Sequence, residues 1–110
     1  MIEVYVTHEF EVWYKGLASD VALMDDIDTM VRLLEERGTE LGFPYSSAIK
    51  DANPLRELRI QSRRKPSRIF YAFDPTRNAV LLIGGDKTGN NRFYKTMVPM
   101  ALKAMGDLFD

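Results

Sequence analysis

The chain has 110 residues and a mass of 12.6 kDa, 45% hydrophobic and 28% charged, a size and composition expected of one domain over residues 1–110. It has no cysteine and a single histidine, which excludes disulfide scaffolds, thiolate zinc sites, iron–sulfur clusters, cysteine nucleophiles and multi-histidine metal centres. The net charge of -1 hides two opposed halves: residues 1–51 carry four bases and eleven acids (net -7), and residues 52–110 carry eleven bases and five acids (net +6).

In chain order, Ile2, Val4 and Val6 alternate with Glu3 and Tyr5, the period of a short half-buried strand. The opening residues have neither the basic start nor the apolar run of a signal peptide, and no run approaches ~20 apolar residues, so a cytoplasmic protein with no membrane partner is expected. From Thr7, an N-cap candidate, Phe10, Trp13, Tyr14 and Leu17 recur at helical spacing, with Glu9 and Glu11 in the first turn where the helix dipole favours acids. His8, the one group that titrates near neutrality unperturbed, falls at this helix start, where a surface or capping role is expected. After Ser19 and Asp20, the residues Leu23, Ile27, Met30 and Leu34 form the apolar stripe of a second helix, punctuated by Gly38 and Gly42.

Phe43 to Ser47 is a loop by composition, and Asn53-Pro54 is a second break. Leu55–Gln61 then alternates Leu58 and Ile60 against Glu57, Arg59 and Gln61, so Glu57 and Arg59 share the face opposite the apolar pair. They could act as a carboxylate base beside a phosphate-binding cation, or as an exposed ion pair. Ser62–Ser67, with Pro66 inside it, is expected to be a hairpin loop carrying Arg63, Arg64 and Lys65, ahead of an aromatic strand over Arg68–Phe73. Between positions 56 and 68 six cations face one acid, either an anion-binding face or a solvated hairpin paired with the acidic helix.

Arg68 opens an otherwise apolar strand, and its planar, permanently charged fork suits phosphate. Asp74 to Asn78 has strong turn chemistry. Ala79–Ile83 is a continuous apolar run, which predicts a strand covered on both faces and ended by Gly84 and Gly85. The segment Gly84 to Gly89 lacks the spacing of a phosphate loop. A final helix is expected over Phe93, Met97, Ala101, Ala104 and Leu108, with Pro99 kinking it or marking its first turn; Tyr94, at its start, could stack on a base, donate a proton or simply pack. The fold class is therefore α+β: a small, antiparallel-rich sheet with two N-terminal helices and a C-terminal helix packed on it.

Leu55-Arg56-Glu57-Leu58-Arg59-Ile60, followed by Arg68-Ile69-Phe70-Tyr71-Ala72-Phe73 and Leu81-Leu82-Ile83-Gly84-Gly85-Asp86-Lys87, resembles the RelE/ParE toxin superfamily and, within it, the HigB-like, phage-derived branch. The resemblance implies the toxin of a type II toxin–antitoxin pair acting as a ribosome-dependent endoribonuclease on mRNA. It implies a reaction without metal or cofactor, in which the RNA 2′-hydroxyl attacks the adjacent phosphate. It assigns catalysis to Arg68, Arg59, Glu57, Lys87 and Tyr94, and RNA backbone contacts to Arg56, Arg63, Arg64, Lys65 and Arg92. Its implied partners are the ribosome, mRNA and a cognate antitoxin of helix-turn-helix type; charge complementarity alone suggests an acidic antitoxin segment laid over Arg59 to Arg68. Many relatives have a histidine or several lysines in the strand that here offers Glu57 and Arg59. The alternative within the superfamily is a gyrase-directed or non-catalytic toxin that acts by binding protein.

Overall fold

A computed structural model describes residues 1–63 and 65–109 of the chain. Its elements run β1 (Val4–Val6), α1 (His8–Lys15), α2 (Val21–Arg37), a 3-10 turn (Gly38–Glu40), β2 (Ser46–Ala48), β3 (Arg56–Ser62), β4 (Lys65–Phe73), β5 (Ala79–Asp86) and α3 (Phe93–Phe109). The five strands form one sheet in the order β1-β5-β4-β3-β2. β2 to β5 pair antiparallel, and β1 joins β5 in parallel, with Val4 opposite Ala79.

The α+β, antiparallel-rich expectation holds, but the helices do not share one face; the sheet lies between them. The reason is in β4 and β5, which are apolar on both sides. Leu58, Ile60, Ile69, Tyr71 and Leu81 pack under α1 and α2 with Phe10, Ile27 and Leu34. Phe70, Ala72, Val80 and Leu82 pack on the other face against Phe93, Ala101 and Ala104 of α3. Each face removes a comparable set of apolar side chains from water at roughly 25 cal/mol per Å², so neither helical layer is dispensable.

The helix caps are those expected. Thr7 Oγ1 accepts from the Phe10 N–H at 3.0 Å and donates to the Leu82 carbonyl at 2.6 Å, so one hydroxyl starts α1 and ties it to β5. Asp20 caps α2 by accepting from Leu23 N–H at 3.1 Å, and Gly38 ends it at φ +56°, where a side chain would be strained. Pro99 lies inside α3, in its second turn rather than its first. Asp74 organises the β4–β5 turn by accepting from the Thr76 and Asn78 N–H groups.

Three local expectations are corrected. Ser46 and Ser47, read as the end of a loop from Phe43, instead form a strand with Ala48, because Ser46–Ala48 pairs with the otherwise open edge of β3. The hairpin is shorter than Ser62–Ser67: Ser62 pairs with Lys65, and Pro66 sits in β4 opposite Gln61, where its carbonyl still accepts from Lys87 N–H at 2.8 Å. Gly84 and Gly85 do not end β5, which runs on to Asp86. They are where the helices come closest: a Cβ on Gly84 would collide with the Trp13 ring of α1, and one on Gly85 would lie 2.9 Å from Phe93 and 3.0 Å from Met97 of α3. A bulge between Phe70 and Tyr71 in the β4–β5 register leaves Leu82 unpaired and re-phases β5, so that Gly85 comes opposite Arg68.

Candidate functional site

The site lies on the α3 face, where β3 and β4 project Glu57, Arg59 and Arg68. Arg59 pairs with Arg68 across the ladder and Glu57 with Phe70, so strand register alone sets the two guanidiniums and the carboxylate side by side. Two arginines directly opposite each other repel, and Glu57 offsets that repulsion. Its Oε1 lies 3.3 Å from Arg68 Nε and its Oε2 3.6 Å from Arg59 Nη1.

Two further groups hold the carboxylate. Tyr94, at the start of α3, donates its hydroxyl to Glu57 Oε1 at 2.6 Å, and Ser47 of β2 donates to Oε2 at 2.9 Å. Tyr94 is aimed by the polar loop before it, in which Thr88, Asn90, Arg92 and Phe93 N–H groups are all bonded to loop oxygens. The Lys87 ammonium lies 4.9 Å from the centre of the Tyr94 ring. Burial and the bond to Glu57 together hold the Tyr94 phenol above its usual pKa of 10.0, against a smaller opposing pull from Arg68.

Burial grades across the cluster. Glu57 and Arg68 are each only 5% exposed, whereas Arg59 keeps about a third of its side chain in water and lies 5.3 Å from the ring centre of the exposed Phe43. Arg68 Nη1 donates to the Ser67 carbonyl at 3.0 Å, but its Nε, close to Glu57, is not aligned for a hydrogen bond and is buried without one. A buried donor without an acceptor costs about 1–3 kcal/mol. Three cations and one carboxylate leave the cluster at +2, open to solvent on the Arg59 side, an arrangement whose chemistry suits an anion and places a carboxylate and a phenol within proton-transfer distance.

All five residues assigned to catalysis thus come together, four by ion pair or hydrogen bond and Lys87 through the Tyr94 ring. Those assigned to backbone contacts disperse. Arg56 lies on the opposite face, its Nε donating to Ser46 Oγ at 3.2 Å and directed at Tyr71 at 3.4 Å. Lys65, exposed at the hairpin end, lines a small recess with Trp13 and Leu23 beneath α1 and α2. Arg63 is exposed in the hairpin turn at φ +49°, Arg92 is exposed just before α3, and Arg64 lies outside the described residues. His8 is exposed at the first position of α1, away from the cluster. Ser47 and Phe43 complete the site without having been expected, since neither stands in a pattern that marks it.

Two comparisons bear on this arrangement. A family described as Phage derived protein Gp49-like matches residues 17–106, which include every member of the cluster. The chain is 34% identical over 99 residues to a Mycobacterium tuberculosis protein named "Putative toxin HigB3", covering 89% of this chain and 85% of that protein. It is 35% identical over 80 residues to "Putative toxin HigB2" of the same organism, covering 70% of this chain and 39% of the relative. No helix among the described residues is long and apolar enough to cross a membrane.

Proposed function

Given that the chain belongs to the phage-derived Gp49-like family of HigB-like toxins, we propose that it is the toxin of a toxin–antitoxin pair and acts in the cytoplasm as a ribosome-dependent mRNA endoribonuclease. The observation that carries this reading is the Glu57 carboxylate between two arginines with the Tyr94 phenol bonded to it. In the proposed reaction the RNA O2′ attacks the adjacent phosphorus, the P–O2′ bond forms and the P–O5′ bond breaks, giving a cyclic phosphate and a free 5′-hydroxyl. Glu57 takes the O2′ proton, Tyr94 gives its proton to the departing O5′, and Glu57 then restores the phenol through the bond they already share. The phenol's raised pKa keeps its proton in place until that moment.

Arg59, Arg68 and Lys87 stabilise the charge that develops on the phosphorane, a contribution of about 3–4 kcal/mol per well-aimed donor. Arg68 acts through its charge from behind the surface, since its Nε is buried 3.3 Å from Glu57 while Arg59 is the guanidinium that meets solvent. Assembly on a ribosome supplies what the site lacks, a splayed mRNA strand held in line. The cognate antitoxin, the ribosome and mRNA are the partners of this reading.

A second reading has one observation in its favour: every oxygen of Glu57 is already engaged, as in a purely structural ion network. On that reading the protein acts by binding gyrase or another protein target. Primer extension on an mRNA in a purified translation reaction separates the two. The endoribonuclease reading expects cuts only with translating ribosomes, with Arg59→Ala and Arg68→Lys each slowing them 100-fold or more while the circular dichroism of the wild type is kept. Absence of cuts by folded wild type under every condition would hand the function to the binding reading.

A further inference from the structure

Beside the cluster, on the same face of the sheet, a cleft of about 610 Å³ opens between the 48–52 segment and α3. This is a volume in the range of small-ligand sites. Glu57 and Tyr94 belong to the cleft as well as to the cluster, so the two spaces are continuous. Its walls are aliphatic, from Ile49, Val98 and Leu102, and its charged lining groups other than the buried Glu57, namely Lys50, Asp51 and Lys95, are exposed. The turn that forms one wall is firmly built. Ile49 N–H donates to the Leu55 carbonyl at 3.0 Å and Leu55 N–H to the Ala52 carbonyl at 2.8 Å, with all three side chains buried. Within it Asp51 is held at φ +61°, a conformation that costs free energy in a non-glycine residue and concentrates at ligand sites.

From this we infer that the cleft is a nucleobase subsite: it takes the unstacked base next to the phosphate bound at Arg59 and Arg68, and it favours a base with an exocyclic amino group. The inference rests on the RNA reading above and deepens it. Aliphatic walls suit the faces of a base pulled out of its stack. Two lysines suit the charge of the strand that carries it. A carboxylate accepts from base N–H groups, and the amino group of adenine or cytosine offers it two hydrogens on an open edge where uracil has a single N3–H flanked by two repelling carbonyls. Continuity through Glu57 and Tyr94 supplies the geometry, since a nucleotide that places its base in the cleft has its phosphate at the cluster.

The test is titration of the isotope-labelled full chain, followed by amide NMR, with inorganic phosphate and separately with the 3′-monophosphates of adenosine, cytidine and uridine. Phosphate alone should shift amides near Arg59, Arg68 and Tyr94. The nucleotides should shift these and also residues 49–52 and 98–102, with adenosine and cytidine binding ~5-fold or more tightly than uridine. Val98→Trp, which fills the cleft, should erase the second set and keep the first. Asp51→Gly, which suits the positive φ, should erase the preference over uridine and leaves the test decisive if the tryptophan variant does not fold. Nucleotides that shift nothing beyond the phosphate pattern, or that bind without preference, overturn the inference. Nucleotide binding in the cleft by a protein that leaves mRNA intact on translating ribosomes sustains the subsite and overturns the nuclease. Silence to phosphate and nucleotides alike overturns the subsite, and whether the nuclease stands is then read from the cuts on translating ribosomes.

Discussion

Glu57 and Arg68 show how one residue's cost becomes another's use. Each is too buried to be worth its desolvation alone, and removal of one member of such a pair strands the other at a cost of about 3–5 kcal/mol. That is why Arg68→Lys, which keeps a charge while losing the bidentate fork, is a better probe of function than truncation to alanine. Tyr94 titrates in a way that reports on its bond to Glu57. Because folding raises the phenol's pKa, just above pH 10 the unfolded chain has released a proton that the folded chain still holds. Stability should therefore fall as the pH rises from about 10 through the higher folded value, and denaturant unfolding of Tyr94→Phe should show a shallower fall over that window. An identical slope in both proteins would mean that neither burial nor the bond to Glu57 raises the phenol's pKa. Tyr14, whose pKa is raised chiefly by its bond to Asp28, contributes to the remaining slope.

Among the elements, those with a periodic pattern are legible in the sequence alone. Alternation in residues 56–61 put Glu57 and Arg59 on one face, and the register with β4 adds Arg68 to it. The spacing of Leu23, Ile27, Met30 and Leu34 defined α2, and the unbroken apolar run of Ala79–Ile83 foretold cover on both sides. What escaped was structure made by partners. Ser46–Ala48 carries no alternation and is a strand because β3 offers it an edge, which is also why Ser47 went unforeseen as a support for Glu57. Lys65 and Pro66 read as loop because proline lacks a donor, yet near a hairpin end one missing donor is tolerated. Gly84 and Gly85 read as a strand end, whereas their role depends on Trp13, Phe93 and Met97, which lie far away in sequence. From that role follows a prediction: Gly84→Ala should destabilise the protein by about 1–3 kcal/mol through overpacking. Shortening Trp13 in the same chain should recover part of the loss in thermal melts, and additive losses would disprove the contact.

At the scale of the whole molecule, the basic half does not present one basic face. The sheet separates Arg59, Arg68, Lys87 and the α3 lysine Lys95 from Arg56 and Lys65, which lie with the acidic helices. RNA affinity should therefore fall with salt as though about four phosphates were neutralised, a log–log slope near -3 for a single strand. Arg59→Glu should flatten that slope, while Arg56→Glu and Lys65→Glu should leave it almost unchanged when binding to a short single-stranded RNA is followed by fluorescence anisotropy. Equal effects from all three would show that the strand wraps the hairpin rather than tracking the α3 face. An acidic antitoxin segment attracted by the same charges would have to compete on that face too.

Strand β1 and its partner β5 also set an order of events during synthesis. Thr7 waits for Leu82, seventy-five residues downstream, before its hydroxyl finds the carbonyl it binds. At roughly 5–20 residues added per second, several seconds pass in which α1 has α2 beside it but no β5 to dock on. The wait for Tyr94 is longer still. A nascent chain halted before Phe93 would hold both arginines and the carboxylate, yet neither the phenol that completes them nor the helix that buries them. On the ribosome-dependent reading proposed above, the ribosome making this protein carries an incomplete cluster until Tyr94 has been added.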